Sequence, residues 1–217
     1  MEPPKATGPA FSIDPIRPDE WKAVAASIAE VLPNSIISHL GASFGARFYG
    51  AIAAQEYSCA FAARDNAGRL VGMIAGTLDH DRAYHEAVAS QRLRLALAAN
   101  LRLLAPATIR WMLKGRFERR KESPSPAPDK PSAEMLVMYM DPAARCPGAV
   151  LALVQAAESF MRDRGYRGAY VVRTEVVNKR ANRFWASMGA KFVFQDAFHG
   201  RLINEYHKSL AAGEAKA

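Results

Sequence analysis

Runs of consecutive apolar residues alternate along this chain with stretches in which apolar positions recur every three or four residues, and the change of rhythm marks out its elements. Glu134 to Asp141 is apolar apart from its ends, short and rich in strand-forming side chains, which predicts a strand buried on both faces. From Gly148 onward, Val150, Leu153, Val154, Ala157 and Met161 fall at helical spacing. Arg162 and Arg164 stand in the last turn, and Gly165 supplies the stop. A second strand is predicted from Ala169 to Glu175. A short helix then puts Ala181, Phe184, Trp185 and Met188 on one face and ends at Gly189. Strand, loop, helix and strand in about 45 residues make a parallel β-α-β unit.

Upstream, Phe11 to Arg17 reads as an entering strand. Asp19 reads as the cap of a helix running through Trp21, Val24, Ile28 and Val31 to Pro33, and Ile36 to Gln55 as one further helix with Leu40, Phe44 and Phe48 in phase. Tyr57 to Ala63 and Leu70 to Leu78 are predicted strands. The polar and glycine residues between them, Arg64 to Arg69, signal a hairpin turn. Residues 82–105 predict a helix that breaks near Pro106 and resumes to about Phe117, with Leu93, Leu97, Leu101 and Leu104 as its stripe. The run ESPSPAPDKPS then returns the chain as an extended linker, and Lys191 to Leu210 reads as two strands around His199-Gly200.

Composition adds bounds. With 217 residues, half of them hydrophobic, the chain suits one well-buried domain over 11–210 that carries an insertion at 82–132, with tails at 1–10 and 211–217. The proline-bearing start reads as a mobile tail rather than a signal peptide, and no run of 18 apolar residues occurs, so a soluble cytoplasmic protein is expected. Cys59 and Cys146 give neither a disulfide framework nor a metal spacing. His80 and His85, with Asp79, Asp81 and Glu86, match no standard site either, so no metal is expected. The net charge is +8, and 82–121 alone holds ten basic residues against Glu86 and Glu118, so the rest is near neutral. Such a segment suits a solvated helical cap. It also suits docking on an anionic membrane surface, with Trp111 and Phe117 at the interface, or on a phosphorylated partner. Nucleic acid is the weakest partner, because no RNA-binding aromatic signature accompanies the charge.

The loop Arg145-Cys146-Pro147-Gly148-Ala149-Val150 opens a helix, so its backbone N–H groups face whatever anion lies before them. Arg145 and Gly148, followed by Asn178, Ala181, Trp185, Gly189 and Ala190, resemble in order and spacing the GNAT superfamily of acyl-CoA-dependent N-acyltransferases. That superfamily's loop reads Arg/Gln-x-x-Gly-x-Gly/Ala, and its later helix reads Asn-x-x-Ala-x-x-x-Tyr-x-x-x-Gly-Phe. This chain departs at Pro147, which removes one donor, at Val150, which crowds the backbone, and at Trp185 and Ala190.

The resemblance implies an α/β (α+β) GNAT fold, a mixed central sheet of about six to seven strands flanked by helices. It also implies transfer of an acetyl or other acyl group from CoA to a small amine, amino sugar or protein amine by direct attack, without a metal. The rival reading is a degenerate relative that binds acyl-CoA or a partner without turnover, as sensor or scaffold. By position, backbone groups of Met138 and Met140 would meet the thioester arm. Arg145 and the amides of Cys146, Gly148, Ala149 and Val150 would meet the pyrophosphate, and Asn178 the arm. Glu134 stands where some members carry a base and calls for a carboxyl pKa raised toward neutrality, with Glu175 a lesser candidate. Trp185 replaces the frequent tyrosine that protonates the leaving thiolate; its indole can donate a hydrogen bond but not a proton, and core packing is the competing role. Tyr139 is the alternative hydroxyl.

Overall fold

β1 (Phe11–Pro15) is followed by a short 3-10 turn (Pro18–Glu20), then α1 (Trp21–Val31), α2 (Ile36–Leu40) and α3 (Ala42–Ala53). β2 (Ser58–Asp65) and β3 (Leu70–Thr77) form the hairpin, and α4 (His80–Ala99) begins the insertion. β4 (Ala133–Met140), α5 (Ala149–Asp163) and β5 (Ala169–Glu175) make the β-α-β unit, and α6 (Lys179–Ser187), β6 (Lys191–Phe198) and β7 (Arg201–Ser209) complete the chain. The structure, a computed structural model, describes residues 11–31, 35–99, 105–106, 108–109, 130–141, 143–144, 146–198 and 201–210. The tails, most of the insertion beyond Ala99, and Arg145 lie outside the described residues.

Among the described residues the strands form one seven-stranded sheet in the order β1-β2-β3-β4-β5-β7-β6. β4 and β5 are parallel, and the other neighbours are antiparallel. Both faces are covered, which is why β3 and β4 read as unbroken apolar runs. On one face α1, α3 and α4 pack Val24, Ile28, Phe44, Phe48 and Ile52 against Met73, Ala75 and Val137. On the other, α5 and α6 pack Leu153, Val154, Met161 and Trp185 against Val71, Ile74, Tyr170 and Tyr206.

Three local expectations are corrected. The single helix expected over Ile36 to Gln55 is two, because Gly41 sits at φ +92°, a left-handed conformation that interrupts helical bonding and favours glycine. Asp19 does not cap α1. The Glu20 carboxylate instead accepts the Arg17 N–H at 2.8 Å and is gripped by both terminal nitrogens of Arg64 at 2.6 and 2.7 Å. Of the expected leucine stripe, Leu97 is 69% exposed while Ala83, Ala87 and Leu95 are buried, and the Leu93 side chain, Leu101 and Leu104 lie outside what is described. Asp79 Oδ1 accepts the Arg82 N–H, and Tyr84 packs edge-on against Phe48. These contacts set the helix phase before the leucines are reached.

Candidate functional site: a gap between two parallel strands

β4 and β5 pair through Ala133↔Tyr170, Glu134↔Val171 and Met135↔Val172, and there the pairing ends. Beyond it β4 stays bonded to β3 as far as Met140, and β5 to β7 as far as Glu175, so the two strands part and leave a wedge-shaped gap. A register shift opposite Ala75 and Gly76 leaves Leu136 unpaired at the point of divergence. The Asp141 N–H donates to the Val71 carbonyl at 2.8 Å. Successive amides alternate in direction, so those of Met140 and Met138 turn away from β3 and into the gap.

The mouth of the gap is the turn before α5. Gly148 stands at φ +84° as the N-cap, which lets the chain reverse directly into the helix. The Ala149 N–H, counted from sequence as an open donor, instead meets the Cys146 carbonyl at 3.1 Å inside the turn, and Ala149 is buried. Among the described residues the amides of Cys146, Gly148 and Val150 have no protein partner. Together with the positive end of α5 they form an anion-facing cradle. Beside it the β2–β3 turn (Asp65, Asn66, Ala67, Arg69) faces Ala143, Ala144 and Cys146 across an open recess of about 530 Å³.

At the apex, on the α3 and α4 side, lies a line of charged groups. Glu134 is 6% exposed. Arg173 Nη1 meets its Oε1 at 2.5 Å, and His80 Nδ1 lies 2.8 Å from its Oε2. Arg173 also bonds Glu205 Oε2 through Nε at 3.0 Å, and His207 Nε2 lies 2.9 Å from Glu205 Oε1. Burial pushes the Glu134 carboxyl up, but His80 and Arg173 together hold it below its ordinary value. The raised pKa expected for a base is therefore reversed. Tyr49, buried over this line and facing Glu134, is pushed up to about 12.

The other predicted residues divide. Tyr139 is half-buried on the α1 side, where its hydroxyl meets Ser27, and burial raises its pKa. Trp185 is 2% exposed and packs edge-on against Tyr170 and Phe184, with ring centroids 6.5 and 5.2 Å away. It packs as a core residue, the role that competes with the leaving-group one. Asn178 caps α6, its Oδ1 accepting the Ala181 N–H at 3.0 Å, and Glu175 pairs with Arg201 at 2.6 Å.

Sequence reasoning missed Arg173, Glu205, His207 and Asn182. Asn182 Oδ1 accepts from Thr174, Asn204 and Tyr206, and its Nδ2 donates to the Glu175 and Asn178 carbonyls, so it ties α6 to β5 and β7. The available signals were a charged residue inside the strand AYVVRTE and a second asparagine one helical turn after Asn178. Among the described residues no group of three or more His, Cys, Asp or Glu side chains is arranged to hold a metal ion, and no helix is long and apolar enough to cross a membrane.

Comparison with known proteins bears on this geometry. The sequence model of the Acetyltransferase (GNAT) family matches residues 112–190. No curated protein matches the chain. The crystal structure of SsHAT superposes with a TM-score of 0.58 at 19% identity, covering 94% of this chain and all of that one. The Salmonella typhimurium protein yncA, solved with its cofactor acetyl-CoA, gives 0.58 at 13% identity, covering 96% and 98%. Arabidopsis thaliana NAA60 in complex with acetyl-CoA gives 0.57 at 11%, covering 92% and 98%. At these identities the likeness is one of fold.

Proposed function

We propose, from its membership of the GNAT superfamily, that this chain transfers the acetyl group of acetyl-CoA to a primary amine by direct attack. The observation that carries the reading is the gap: unpaired β4 amides along its side and a helix N-terminus at its mouth suit an elongated ligand with an anionic end. The Met138 and Met140 backbone would meet the thioester arm. The Cys146, Gly148 and Val150 amides, with Arg145, would meet the pyrophosphate, and the recess beside Arg69 would take the outer nucleotide. Ala149 packs the turn, and Asn178 caps α6 beside the arm.

An amine must be drawn in and deprotonated. Two carboxylates around one guanidinium leave the apex with a net negative charge when both histidines are neutral, which attracts an ammonium group. The buried Trp185 provides no acid, and a CoA thiolate leaves adequately without one. The acceptor is a small amine, amino sugar or protein amine. The basic segment 82–121 offers docking to an anionic membrane surface or a phosphorylated partner, and the cytoplasm is the compartment we assign.

Calorimetry with acetyl-CoA, followed by mass spectrometry across an amine panel, tests the reading. Saturable binding and an acetylated amine are expected. No binding would remove it, and binding without turnover would favour the sensor or scaffold, which the used Ala149 amide and the missing acid also suit.

A further inference from the structure

We propose that Nε2 of His80 takes the proton from the acceptor amine, and that Glu134 serves to hold and orient the His80 ring; this rests on the acyl-transfer reading and deepens it. A general base needs an accessible lone pair as well as a suitable proton affinity. Glu134 is poorly placed: it is buried, with Arg173 on one oxygen and His80 on the other. His80 is the open end of the same line, its side chain 29% exposed. Nδ1 lies 2.8 Å from Glu134 Oε2 but off the line of a straight ring N–H hydrogen bond; a bare nitrogen lone pair that close to a carboxylate oxygen would be repelled, so the ring proton belongs on Nδ1 and the lone pair on Nε2.

The ring is fixed from several sides. The His80 N–H donates to the Ser132 carbonyl at 2.9 Å, which fastens the start of α4 to the chain just before β4. Its ring lies 4.5 Å from that of Tyr84, centroid to centroid. The charged and titratable groups around it are Glu134 from β4, Arg173 from β5, Tyr49 from α3, Tyr84 and Asp81 from its own helix, and Asp79 just before it. Arg173 cannot give up a proton, so the line conducts none past it. His207 belongs to a separate pair on Glu205, one strand further from the gap. Of the two imidazoles, His80 is held by the carboxylate at the apex itself.

The step balances without a further reagent. The acceptor ammonium gives one proton to Nε2, and the neutral amine attacks the thioester carbonyl carbon. The C–N bond forms, and the C–S bond breaks with its electron pair leaving on sulfur. The surplus proton on the new amide nitrogen goes to the thiolate, and the imidazolium returns its proton to solvent.

The test is a set of pH profiles of kcat/KM for acetylation of spermidine, glucosamine and a lysine peptide by the wild type, H80Q, H80A and E134Q, with acetyl-CoA affinity measured for each. H80Q is expected to lose about 10²- to 10⁴-fold in kcat, together with the acidic limb of the profile, at unchanged acetyl-CoA affinity. Added imidazole should restore part of the H80A activity. E134Q should keep measurable turnover and its limb at a reduced kcat, because a neutral amide orients the ring less firmly than the carboxylate does. An H80Q enzyme with the wild-type rate and limb overturns the proposal, as does loss of the limb in E134Q alone. If E134Q does not fold, the half-exposed His80 variants decide. A wild type that binds acetyl-CoA but acetylates none of the three amines removes the acyl-transfer reading and this proposal together; failure at H80Q alone leaves that reading standing.

Discussion

Arg173 carries one positive charge between two carboxylates that have been taken out of water, and that arrangement fixes what its removal must do. R173M leaves Glu134 and Glu205 buried without their cation, a loss of about 3–5 kcal/mol for a broken buried pair. Urea unfolding monitored by fluorescence should show it as a lower midpoint, and an unchanged midpoint would mean that the line is not under electrostatic load. Glu20 gives the matching prediction in pH. Its pairing with Arg64 lowers its pKa from 4.5 to about 2, so the folded state binds that proton less readily than the unfolded chain. The stability it contributes is present above the ordinary carboxylate range and disappears as pH falls toward about 2. Thermal melts from neutral pH downward should show this loss, and R64M should flatten it. At this scale the sequence was only partly legible. Glu134 could be marked as chemically interesting, but its partners are distant in the chain: a lone arginine in a strand looks the same whether it faces water or a buried carboxylate. Asn178 was legible because capping is local, whereas Asn182 was not, because its partners lie on β5 and β7.

Among the elements, the turn before α5 and the β3–β4 pair carry the sharpest constraints. A Cβ at Gly148 would meet nothing closer than the Phe11 ring at 3.8 Å, so the cost there comes from φ +84° rather than from crowding. G148A should lower stability by about 1–2 kcal/mol and G148E should in addition weaken acetyl-CoA binding, since a carboxylate would stand in the anion cradle. Chemical denaturation and calorimetry separate the two effects, and equal affinity in G148E would move the pyrophosphate elsewhere. Gly72 is the opposite case. A Cβ there would lie 2.1 Å from Met140 Sδ and 3.0 Å from the Tyr139 carbonyl. The methionine can swing aside but the carbonyl cannot, so G72V should cost about 1–3 kcal/mol by forcing β3 from β4. Element type was readable throughout the β-α-β unit because apolar runs and capping glycines are local signals. The break at Gly41 and the phase of α4 were not, since φ and packing partner decide them rather than spacing.

For the molecule as a whole, β4 and β5 share three residue pairs, and around that seam two half-sheets meet. The Glu134–Arg173 contact crosses the same seam, so the line of charges also fastens the halves together. A cosubstrate that binds the folded gap and not the unfolded chain should raise the melting temperature as its concentration rises, by about 2.7 kcal/mol of added stability at a hundredfold excess over Kd. Scanning calorimetry with acetyl-CoA measures this, and an unmoved melt would contradict occupancy of the gap. The missing rungs beyond Met135 have a last consequence. A pantetheine arm bears amides of its own, so seating it there amounts to laying down an eighth ribbon in the sheet, and product release to peeling that ribbon out. Deuterium uptake over 136–140 should therefore slow when acetyl-CoA is added and quicken again when it is removed.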